Sequence, residues 1–254
     1  MTTTLDPTLD QDVADWFATS CDRPRLSLLG PGNVRAQGTA PACRKAYHSE
    51  LLAFLALRGR DGADVDEICL ALGAGPTKLR QDISTLRTWL GTDPRTGEPH
   101  LPTLGAHGYR AGDRLLVDLD LFRRLRLRGT ARGGDEGLSD LARALELVSG
   151  RPFDQQRPGG WAWLSSGERI DVYMTVEIAD VALTVTNGYL ERGNTDRASA
   201  AADIAALAAP DEEVTRLCRV RLDEAVPGTS ASTRTWSRSW EAAAPDLRAV
   251  RRRS

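Results

Sequence analysis

The side chains best suited to chemistry in this chain of 254 residues are gathered in one stretch, TKLRQDISTLRTWLG, residues 77–91. Leu79, Ile83, Leu86 and Leu90 recur at i, i+4, i+7 and i+11, the spacing of one buried stripe on a helix. With that stripe inward, Lys78, Arg80, Gln81, Ser84, Thr85, Arg87 and Thr88 face outward, with Asp82 as the single acid among them. Guanidinium, amide and hydroxyl groups on one helix face are the groups that hydrogen-bond phosphate oxygens and base edges. Further on, Arg110 and Arg114 flank Gly112-Asp113, a pair that predicts a tight hairpin turn with both arginines near its tip.

Other chemistries lack their parts. Cys21, Cys43, Cys69 and Cys218 lie far apart, and His48, His100 and His107 do not cluster, so no metal site is expected. Gly30-Pro31-Gly32 lacks the rest of a nucleotide-binding fingerprint and reads as a turn after a strand. No Ser/His/Asp set is visible, so neither an enzyme nor a cofactor is expected.

The elements that must position the helix of residues 77–91 follow from local patterns. Residues 25–29 read as a short strand, residues 44–57 as a helix ended by Gly59, and Leu101–Leu104 as a short edge strand. Asp64 with Glu67 three residues later marks the start of a second helix with Val65, Ile68, Cys69 and Leu72 on its apolar face. The short connection through Gly73 and Gly75 then gives a helix-turn-helix, and the following hairpin makes it winged. Beyond it, residues 137–150 predict a helix. Trp161 and Trp163 follow as a cap on a core, and residues 168–191 are apolar nearly all round, which predicts a buried central helix. Tyr189, Gly193, Ala198, Ala205 and Pro210 have the spacing of a tetratricopeptide helical hairpin.

Charge divides along the same lines. Residues 1–24 carry one Arg and five acids, residues 25–128 a net +5, residues 129–224 a net −7, and residues 225–254 a net +4. A basic module joined to an acidic one suggests that one half meets a polyanion. No run of 18 apolar residues predicts a membrane span and no leader is evident, so a cytoplasmic location is expected. The expected organisation is an N-terminal extension (1–24), a winged-helix unit (25–128), an α-helical unit (129–224) and a basic tail (225–254) with Trp236, Trp240 and Arg251–Arg253. The fold class is mainly α with a small β component, a winged helix-turn-helix followed by a tetratricopeptide-like domain.

Several segments together resemble the bacterial transcriptional activator domain (BTAD) regulators, relatives of the antibiotic regulatory protein (SARP) family. RLSLLGPGNVRAQG is similar to the family's opening strand and turn, RKAYHSELLAFLAL to its first helix, and TKLRQDISTLRTWLG to its recognition helix. HGYRAGDRLLVDLDLF resembles its wing and the Asp-x-x-x-Phe start of its helical domain, here Asp118 and Phe122. ARALELVSGRPF, the Trp161/Trp163 segment and the Gly193–Pro210 hairpin are similar to its helical region. The chain departs from the family at Gly73, where a Trp is common, and in the lack of later helical pairs.

The resemblance implies a transcriptional regulator, often an activator that contacts RNA polymerase. Read on this chain, it makes double-stranded DNA the partner of the helix at residues 77–91 and of Arg110 and Arg114, with no membrane contact. A homodimer is expected, since many such regulators read paired half-sites. The competing reading, from a different class, is a protein-interaction module whose winged helix binds no DNA.

Overall fold

A computed structural model describes residues 6–101, 105, 108–154 and 157–225. The protein is mainly α with one small three-stranded sheet. Helix α1 (Leu9–Phe17) leads to strands β1 (Arg25–Ser27) and β2 (Asn33–Arg35), then helices α2 (Lys45–Leu57), α3 (Val65–Leu72) and α4 (Pro76–Leu90). Strand β3 (Leu116–Val117) precedes α5 (Asp118–Arg132), α6 (Gly134–Leu145), α7 (Ala162–Ser166), α8 (Ile170–Glu191), α9 (Thr195–Ala208) and α10 (Glu213–Ala225). In the sheet β1 is central, antiparallel to β2 with Leu26 opposite Val34, and parallel to β3 with Leu26 opposite Val117.

The helix-turn-helix forms for the reasons its residues give. The Asp64 carboxylate caps α3 by accepting from the Glu67 N–H at 2.8 Å. Gly73 ends α3 at φ +63°, a left-handed geometry that a side chain disfavours, and Pro76 opens α4 at its first position. Leu79, Ile83, Leu86 and Leu90 are all buried against α2 and α3.

The hairpin expected at Gly112-Asp113 is replaced by a different arrangement. The Leu115 N–H does reach the Gly112 carbonyl at 3.0 Å, so the turn exists, but its arms part. Tyr109 pairs with Ala63 through two 2.8 Å backbone bonds, while Leu116 bonds the Pro24 carbonyl and enters the sheet beside β1. Tyr109 and Leu116 are both buried, and their separate backbone partners divide the two runs. Gly105 and Gly108 exchange two backbone bonds. The edge strand expected at residues 101–104 lies mostly outside the described residues; Leu101 itself is buried. His107, Trp236, Trp240 and Arg251–Arg253 also lie outside them.

Helix α5 carries the sheet into the helical layer and runs through position 128. At its first residue the fully buried Asp118 carboxylate accepts from the backbone N–H of Leu28 (2.7 Å), Leu29 (3.0 Å) and Leu119 (2.8 Å). Burial pushes this carboxyl up to about 7, against the pull of those three donors. Phe122, one turn on, is also fully buried.

Helices α8 and α9 make the expected hairpin. Gly193 turns it at φ +68°, Ala198 and Ala205 are buried where the helices approach, and α9 stops at Ala208 before Pro210. Helix α8, however, is buried on one side only. Met174, Ile178, Val181 and Val185 face inward, but Tyr173 is 61% exposed and Val172 and Val176 also reach solvent. The layer covers one face of α8, so an all-round apolar pattern overstated its burial.

Candidate nucleic-acid interface

Helix α4 presents a polar face with no acid in its first turn. Lys78, Arg80, Gln81, Ser84 and Thr88 are exposed, and Thr85 and Arg87 are half-buried. The side chains of Arg80, Gln81 and Ser84 make no hydrogen bond or ion pair with another described residue. The Thr85 and Thr88 hydroxyls donate to the carbonyls of Gln81 (3.0 Å) and Ser84 (3.1 Å), which leaves their lone pairs outward. Arg87 is more committed: its Nε donates to the Leu101 carbonyl at 2.9 Å and ties the end of α4 to Leu101.

The two arginines beyond α4 are not on a common tip. Arg110 pairs with Asp113 at 3.2 Å on the surface. Arg114 turns inward, with its Nε 2.9 Å from the buried Asp93 carboxylate. Six of the nine sequence-predicted residues, Lys78, Arg80, Gln81, Ser84, Thr85 and Thr88, therefore share one open helix face. Arg87, Arg110 and Arg114 are each drawn into protein contacts.

Asp82 does not face outward with them. It is 2% exposed, and its carboxylate receives Arg44 Nη1 at 2.9 Å and Lys78 Nζ at 3.4 Å, with His48 Nε2 at 3.4 Å. The signal for this was present in the sequence. Position 82 lies three residues after Leu79 and four before Leu86, squarely on the buried stripe. Arg44 was not singled out because it stands at the start of another helix, 38 residues from Asp82 in sequence.

A second buried carboxylate ties this unit to the helical layer. Glu50 on α2 accepts from the Trp161 N–H (2.6 Å), from Trp163 Nε1 (3.2 Å) and from the Arg157 guanidinium. Trp161 and Trp163 stack with centroids 5.4 Å apart, and Trp163 meets Phe54 of α2 edge-on at 5.2 Å. The tryptophans thus cap a core, and they do so against α2.

Among the described residues no three His, Cys, Asp or Glu side chains gather as a metal site, and no helix is long and apolar enough to cross a membrane. No family model matches the chain, and no curated protein matches it. Among solved structures it is similar to Mycobacterium tuberculosis EmbR in complex with a low affinity phosphopeptide, at 19% identity and a TM-score of 0.44. The likeness covers 81% of this chain and 66% of that one, just under two thirds of the solved chain.

Proposed function

We propose that the protein is a transcriptional regulator that binds double-stranded DNA in a sequence-specific manner, with α4 as its recognition helix. The observation that carries this reading is the outward face of α4, where Arg80, Gln81 and Ser84 lie exposed and uncommitted beside Lys78, Thr85 and Thr88. Arg80 and Gln81 suit base edges, while Lys78, Ser84, Thr85 and Thr88 suit phosphates or bases. Arg87, Arg110 and Arg114 serve as flanking backbone contacts, with Arg114 mainly holding its own loop. In this reading residues 25–128 form the DNA-binding half. Residues 129–224 serve dimerisation or partner contact, and activation through RNA polymerase follows the family resemblance.

Selection of bound duplexes from a random pool tests this. The expected result is an enriched motif that disappears with Arg80→Ala. A palindrome or direct repeat in it reports a dimer. Absence of any enriched motif would remove the DNA reading. One observation favours a second reading, a protein-interaction module: Val172, Tyr173 and Val176 expose apolar surface on α8. That reading gains if the protein binds duplex DNA without a salt dependence, since phosphate contacts impose a steep one.

A further inference from the structure

Arg44 is held with unusual completeness for a surface cation. Its backbone is left-handed at φ +57°, which a side chain tolerates only where its surroundings fix it. His48 Nδ1 lies 2.9 Å from its carbonyl, and since a carbonyl only accepts, Nδ1 is the donor. Its guanidinium lies 4.0 Å from the Tyr47 ring centroid and pairs with Asp82 through Nη1 at 2.9 Å. Lys78 reaches the same Asp82 oxygen at 3.4 Å from the first turns of α4. The two cation heads share one oxygen, so they lie at most about 6 Å apart, a span that one phosphate group bridges with charge-assisted hydrogen bonds.

The two heads remain open while their anchor is closed. The side chains of Arg44 and Lys78 are 38% and 51% exposed, and that of Asp82 is 3% exposed. Each cation spends one donor on Asp82 and keeps others for solvent or a ligand. At the anchor Asp82 Oδ2, Tyr47 OH and His48 Nε2 are buried with no hydrogen-bond partner. A ligand that drew charge toward this corner would act on a preassembled group.

We propose that Arg44 and Lys78 form a phosphate-binding pair beside the recognition helix, and that Asp82 is the positioning residue that brings them together. The inference rests on the DNA-binding reading and adds to it a backbone contact from outside the helix-turn-helix. Asp82, the one acid of the recognition helix, then aids DNA binding rather than opposing it.

The test uses the full chain with two duplexes, one carrying the selected motif and one of mixed sequence, titrated over a range of salt. Arg44→Ala should weaken both about tenfold and lower the salt slope by about one. Lys78→Ala, an exposed change, should do the same and serves if Arg44→Ala fails to fold. Asp82→Asn should weaken both duplexes without altering the selected motif, and melting of the same sample reports its folding separately. If the wild type binds no duplex, the DNA reading itself fails. If the wild type binds but Lys78→Ala and folded Arg44→Ala bind with unchanged affinity and slope, this inference alone fails. Tighter binding by Asp82→Asn would overturn the positioning role and mark Asp82 as simple repulsion.

Discussion

Helices α4 and α5 are both 15 residues long, both rich in cations and both apolar along one side, yet α5 pairs its arginines with carboxylates while Arg80 of α4 stays exposed. On α5, Arg124 meets Asp6 at 2.7 Å and Asp12 at 2.8 Å, Arg126 meets Glu177 at 3.1 Å, and Arg128 meets Asp10 at 2.7 Å and Asp140 at 2.6 Å. Arg132 joins the same Asp140 at 3.2 Å. On α4, Arg80 has no such partner among the described residues. The difference teaches that a count of arginines is not a count of available charge. Among the cations of residues 25–128, Arg124 and Arg128 of α5 are neutralised by Asp6, Asp12 and Asp10, and Arg126 by Glu177. Lys78 and Arg80 of α4, with Arg44 and Lys45 nearby, keep exposed cationic side chains that a polyanion can meet.

This comparison predicts different losses for the two helices. The largest is Asp140→Ala, which removes the two-oxygen partner of Arg128, 14% exposed in its side chain, and leaves it beside Arg132 with Asp10 alone; it should cost about 2 kcal/mol of stability, read by urea melting. Arg80→Ala should leave stability within about 0.5 kcal/mol. It should also weaken specific DNA binding by about 1–3 kcal/mol, measured by fluorescence anisotropy. Comparable loss of stability from both changes would erase the distinction.

The acidity at the two ends of the α5 region sharpens it further. Hydrogen bonds from Arg124 hold Asp6 below its usual range. Burial raises Asp12, but its bonds from Arg23, Arg124 and Thr8 outweigh that and hold it low as well. The stability these two supply is present above their ordinary value of 3.8 and is lost as pH falls below it. Asp118 acts in the opposite sense. It keeps its proton in the folded state up to about 7, so stability should decline as pH rises between about 4 and about 7. Denaturation across that window should show the decline in the wild type and lose it in Asp118→Asn. The smallest effect is Glu177→Gln, which removes the half-exposed pair with Arg126 and should cost less than about 1 kcal/mol in the same melts.

What the sequence disclosed and what it withheld divide by range. The Asp64 cap, the Gly73 turn, the α4 stripe and the Gly193–Pro210 hairpin are set by residues within a few positions of each other, and each was legible. The pairing of α5 with residues 6–12 spans more than a hundred positions, and no local pattern announces it. The hairpin at Gly112-Asp113 was misplaced because the turn signal was real, while the partners of its arms, Ala63 and β1, are remote. Tyr173 stays exposed because burial of a helix depends on how many neighbours the layer supplies, which its own periodicity does not state. Of the candidate site, the open face was readable from spacing, but the inward turns of Asp82 and Arg114 were read only from the folded chain.

The proposed reading turns on Arg80 of α4 offering its charge to DNA while the arginines of α5 hold the fold together. The direct test measures DNA affinity and melting temperature side by side for Arg80→Ala and Arg128→Ala. The account predicts that Arg80→Ala loses roughly ten- to hundredfold in specific affinity with an unchanged melting temperature. Arg128→Ala should melt lower yet bind the selected duplex as the wild type does while folded. Equal DNA losses from both substitutions, or none from Arg80→Ala, would contradict it.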